Sequence, residues 1–124
     1  MSYLSLAEMM RDFLIAELCF ERGWSTNKGW LIDDVALHAQ RQAILKLLQF
    51  SPGELPVFQE LKQDFQRYLD ARDHVRRVCM SRAKRDAAMR RLAHSRIHQI
   101  GRLDHFVDRI SGDADNVRAL ALTA

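Results

Sequence analysis

His94, His98 and His105 fall within about 40° of one another around a helix, with Asp108 roughly another 40° beyond His94. Imidazoles four residues apart can share a metal ion, and a carboxylate could complete such a set. This row lies nearly opposite the apolar residues Met89, Leu92, Ala93, Ile100, Leu103, Val107 and Ile110. It therefore faces solvent, where one helix offers two adjacent ligands at most, and no metal site is expected. Arg91, Arg102 and Arg109 interleave with the same histidines, and Lys84 and Arg90 are close by in the chain. Spaced cations of this kind suit phosphates, because neutralising a polyanion releases its condensed counterions. The expected nucleic-acid-binding set is Lys84, Arg90, Arg91, His98, Arg102 and Arg109.

Other chemistry has little support. There is no glycine-rich phosphate loop, nucleophile elbow or isolated acidic pair. Asp33 and Asp34 read as helix-capping residues, and Asp73 with His74 as ordinary helix surface. No helix-turn-helix, zinc finger or basic zipper is complete, so groove reading of a particular base sequence is not expected. Cys19 and Cys79 stand in no metal-ligand spacing and read as reduced, small apolar residues. A non-enzymatic protein without a cofactor is the expectation.

The run Asp86-Ala87-Ala88-Met89-Arg90-Arg91-Leu92-Ala93-His94-Ser95 resembles the approach to the phosphorylated histidine of histidine-phosphotransfer domains. That resemblance implies a four-helix protein with His94 as phospho-acceptor. It covers ten residues, and the lysine and glycine that follow in the family are replaced by Ile97 and His98.

Charge is unevenly laid out along the 124 residues, whose net charge is +3. Ten Lys/Arg between positions 72 and 102 face only Asp73 and Asp86, a balance of +8. Residues 1–71 come to −3 and residues 103–124 to −2. Such asymmetry is an argument for a polyanionic partner or for an acidic protein surface. No run is apolar enough to cross a bilayer and no secretory signal is evident, so a cytoplasmic protein without membrane contact is expected.

The elements that would carry these residues read as helices throughout, at about 5–22, 34–50, 56–79 and 83–111, in a single domain spanning 1–124. Ser5 and Glu8 form a capping-box pattern, and Gly23 suits a helix end. Trp24 and Trp30 flank the turn-rich Ser25-Thr26-Asn27-Lys28-Gly29, which suggests a short loop or hairpin between the first two helices. From position 57 to 111 there is no proline and a single glycine. Steps of three and four from Phe58 meet apolar residues at twelve of sixteen positions; the exceptions are Arg72, Arg82, Asp86 and Arg96. A straight helix of this length would extend about 80 Å, well beyond a globule of this size. Arg82 and Asp86 interrupt the seam consecutively and Ser81 can cap a new helix, so a break is predicted within 79–86, with Gly112 closing the last helix and 113–124 as a loose tail or a short added helical turn.

All-α architecture follows, as a four-helix bundle or a long helical hairpin, possible as a homodimer or as a subunit of a larger assembly. Phe58, Leu61, Phe65 and Tyr68, with Trp24 and Trp30, form the expected interface set. Binding of DNA or RNA is the leading functional expectation, and a protein-interaction regulator acting through coiled-coil-like helices is the alternative.

Overall fold

A computed structural model of the chain describes residues 2–22, 34–50 and 55–123, with side chains to residue 112. It is helical, with no strand among the described residues: α1 (Tyr3–Arg22), α2 (Asp34–Leu48), α3 (Pro56–Arg77) and α4 (Arg82–Thr123). Trp24, Trp30, Gly23 and Asp33 lie outside the described residues, and with them the expected loop or hairpin.

Ser2, rather than Ser5, caps α1. The Ser5 amide donates to Ser2 Oγ at 3.2 Å and the Leu6 amide to the Ser2 carbonyl at 3.1 Å. The capping-box pattern at Ser5 is overruled by an equally competent hydroxyl three residues earlier, which lets the helix gain a turn. Pro56 occupies the first turn of α3, where its missing N–H costs nothing. The predicted break falls at 78–81. Val78 is extended (φ −88°, ψ 130°) while its amide still reaches the His74 carbonyl at 3.0 Å. Ser81 then opens α4, its Oγ accepting from the Lys84 amide at 3.3 Å and its carbonyl from the Arg85 amide at 2.9 Å.

Gly112 does not end the last helix. α4 continues through it to Thr123, and Gly112 has no left-handed φ. Glycine permits that conformation without compelling it. Here the following Ala114, Val117, Ala119 and Leu120 can extend the helix instead. The 42 residues of α4 span about 63 Å, roughly twice the length of α3.

α4 is the spine of the bundle. α1 and α3 both pack along it, and α2 packs on α1. Leu6, Met10, Phe13 and Leu14 of α1 meet Phe58, Phe65 and Leu69 of α3 and Leu103 of α4 in a common core. Phe13 and Phe65 pack edge to face with centroids 5.8 Å apart, and Phe58 sits 4.8 Å from Tyr3 and 6.1 Å from Phe106. The apolar seam that a rod would offer to a second chain is thus covered within this one. Its register drifts in α4, where Ala88, Leu92, Gln99 and Phe106 are buried while Met89 is 38% exposed.

α2 reaches α3 through polar ties. Arg41 forks onto Asp73 with bonds of 2.7 and 2.5 Å, and Lys62 Nζ donates to the Leu48 carbonyl at 3.0 Å. The hydrogen bonds from Arg41, outweighing burial, hold the Asp73 carboxyl below its usual value, helped by the charges of Arg41, Arg77 and Arg76. A depressed carboxyl contributes stability that is complete above the unfolded value and is lost as pH falls through the folded one. Acidification below about pH 4 is therefore expected to loosen α2 before the other helices. Amide exchange in α2 measured against pH would show this, and Asp73→Asn would remove the pH dependence.

Gly101 offers a simpler test. It sits inside α4, and a Cβ there would have no atom within 4 Å. Gly101→Ala should therefore stabilise the fold by about 1 kcal/mol, since alanine gains helix propensity without a clash. A raised urea midpoint with unchanged slope would be the sign.

Candidate nucleic-acid interface

The ten cations between 72 and 102 divide into two groups, and burial makes the division. Arg72 and Arg96 are 8% and 2% exposed, and both turn inward onto Glu17, which is completely buried on α1. Arg72 Nη1 pairs with Glu17 Oε2. Arg96 Nη1 lies 3.2 Å from Glu17 Oε1, and its Nη2 donates to Glu21 Oε2 at 2.8 Å. Tyr68 donates its hydroxyl to Glu17 Oε1 and accepts from Arg96 Nη1 at 3.3 Å. Burial pushes the Tyr68 phenol up to about 12, so it stays a donor at neutral pH. Burial, then the like charges of Arg76 and Arg96, bring Arg72 down to about 10, which still leaves it cationic at pH 7. Burial also works against Arg96, but its bonds to Glu21 and Tyr68 hold it above the usual arginine value. This cluster joins α1, α3 and α4 through charge inside the core.

Arg102 is also committed within the chain. It pairs with Asp64 and reaches Glu60 Oε2 at 3.5 Å, tying α4 to α3. Asp64 is shared with Arg67 Nη1 at 3.6 Å.

Seven cations remain: Arg76 and Arg77 at the end of α3, then Arg82, Lys84, Arg85, Arg90 and Arg91 on the first turns of α4. All seven are exposed, and none makes an ion pair among the described residues. Asp86 is the one acidic residue within the same span of sequence. The turn at 78–81 brings the end of one helix beside the start of the next, so these cations surround one junction of the bundle, the corner between α3 and α4, with Arg76 on the side that faces α2. Of the expected set, Lys84, Arg90 and Arg91 belong to this corner. His98 and Arg109 are exposed farther along α4, and Arg102 is half-buried in its ion pairs. Arg76, Arg77, Arg82 and Arg85 belong to the corner too. They were not in that set, because a single-helix projection cannot show that the end of α3 meets the start of α4.

A groove of about 1160 Å³ opens between α3 and α4 directly below the corner. Lys84 and Arg91 line it, together with the apolar Ala71, Val75, Ala88 and Leu92, and Gln99. A second groove of about 650 Å³ lies farther along α4, bounded by Val57, Ile97, Gly101 and Phe106.

Phe58, Leu61, Phe65 and Tyr68, expected at an interface, are 0–4% exposed inside the chain's own core. His94, His98 and His105 are exposed along α4, and no group of three or more His, Cys, Asp or Glu is gathered for a metal among the described residues. Among those residues no helix is long and apolar enough to cross a membrane. No family model matches the chain, and no curated protein or solved structure matches it either.

Proposed function

We propose that this is a non-enzymatic helical protein that binds nucleic acid by holding phosphates at the corner between α3 and α4. The observation that carries the reading is the set of seven exposed cations without an ion pair among the described residues, placed around one turn. Like charges gathered at a helix junction repel one another, and Asp73 beside Arg76 and Arg77, with Asp86 in the same span, does not balance all seven. A polyanion would. Six of the seven cations are arginines, whose planar forks match phosphate oxygens better than an ammonium does.

The test is the salt dependence of binding to short DNA and RNA duplexes and single strands. Seven neutralised phosphates would give a slope of about −6 in log K against log salt for duplex DNA. Absence of binding at low salt would overturn the reading.

A second reading, contact with a partner protein, draws on the groove beside Gly101. Val57 and Ile97 there are 50% and 54% exposed, apolar surface that an amphipathic helix could cover. Light scattering tests its self-associating form: a strict monomer at high concentration removes the homodimer.

A further inference from the structure

The lining of the groove below the corner includes a residue with a buried polar atom that nothing among the described residues satisfies. Gln99 is 6% exposed, its Nε2 donates to Ser95 Oγ at 3.1 Å, and its Oε1 accepts no hydrogen bond among the described residues. A buried carbonyl oxygen without a donor costs about 1–3 kcal/mol; Gln99 lines the groove, and a turn of its side chain would present Oε1 to a donor there. Ala71 and Val75 from α3 and Ala88 and Leu92 from α4 give the lining an apolar portion, with His74, Ser95 and His98 among its polar residues. Lys84 and Arg91 stand at the end nearest the corner, neither of them ion-paired among the described residues.

We infer that this groove receives the base of one unpaired nucleotide, its phosphate held by Arg91 and Lys84 and its N–H edge bonded to Gln99 Oε1. The inference rests on the proposed reading of the corner and adds what the adjoining groove recognises. Each feature asks for a different part of the same ligand. Free cations ask for a phosphate, the apolar part of the lining for a ring, and an unpaired amide oxygen for an N–H donor. About 12 Å of helix rise separates residues 91 and 99, which leaves room for a sugar between phosphate and base. A duplex, whose base edges are already paired, cannot fill the groove this way, so the chain should prefer single strands.

Fluorescence anisotropy on the whole chain would compare a single-stranded DNA oligonucleotide, an abasic strand of equal length and charge, and a duplex. The base-bearing strand should bind about tenfold more tightly than the abasic one, the cost of leaving one buried acceptor unpaired. Gln99→Leu should reduce that difference to what ring packing alone supplies while leaving abasic-strand affinity unchanged, with circular dichroism confirming the fold. Calorimetry on the unaltered chain would add AMP, purine riboside 5′-monophosphate, whose base has no N–H donor, and ribose 5-phosphate, in that expected order of affinity. Equal affinity for base-bearing and abasic strands overturns the inference and leaves the corner reading standing. Failure of every strand to bind at low salt overturns the corner reading. In that case AMP binding no tighter than ribose 5-phosphate, or not at all at millimolar concentration, overturns the groove as well.

Discussion

Replacing Glu17 by leucine lowers folding stability by about 3–5 kcal/mol, the penalty for leaving buried charge without its counterion. Glu17 is the central acid for both Arg72 and Arg96, and those guanidiniums are 8% and 2% exposed. After the substitution Arg96 retains Glu21, but Arg72 loses its one ion pair among the described residues. A domain of this size has roughly 5–15 kcal/mol of stability in all, so the variant should stand near the edge of unfolding. Urea denaturation followed by circular dichroism measures the loss directly. Removing the whole cluster should cost far less than removing its centre. The combined variant Glu17→Leu, Tyr68→Phe, Arg72→Leu, Arg96→Met takes away both the attraction and the desolvation, and should recover to within about 2 kcal/mol of the parent. If Glu17→Leu alone were neutral, the cluster would have no energetic role.

Changing Arg82, Lys84 and Arg85 together to alanine should reduce the salt slope for duplex DNA from about −6 to between about −3 and −4. Each lost phosphate contact removes close to one unit, so the slope counts the contacts, and affinity at low salt should fall by orders of magnitude. The matched control is Arg102→Ala. Arg102 is bound to Asp64 and Glu60, so its loss should lower stability while leaving the slope nearly unchanged. The two variants separate a corner from a stripe. A stripe along 84–109 would be weakened by either change, whereas the corner responds to the first alone. No change in slope for the triple variant would remove the corner from consideration.

Much of the helical layout was legible in the sequence because its causes are local. Pro56 at a first turn, Ser81 as a cap and the consecutive seam failures at Arg82 and Asp86 each act within one or two helical turns. The misplaced start of α1 and the missed continuation past Gly112 are failures of the same local logic. Two serines compete for one cap, and a glycine's freedom does not compel a stop. Glu17 is more instructive. It follows Met10, Phe13 and Leu14 at helical spacing on the buried face of α1, and Arg72 and Arg96 interrupt the seam of α3 and α4 with the opposite charge. An acid on one apolar face and bases on two others are a signal for a buried pairing, since none of them is tolerated there alone.

The sequence by itself therefore determined that the chain is helical, where most helices begin and break, and that its positive charge is concentrated in one stretch. Periodicity and capping are properties of neighbours along the chain, and so is net charge per segment. Only the tertiary structure decided which of those charges remain available. Arg72, Arg96 and Arg102 meet acids from 38 to 79 residues away, and such partners leave no mark in the local pattern. What they leave behind at the corner, seven cations and a groove with one unsatisfied amide oxygen, exists only once α3 has turned back onto α4.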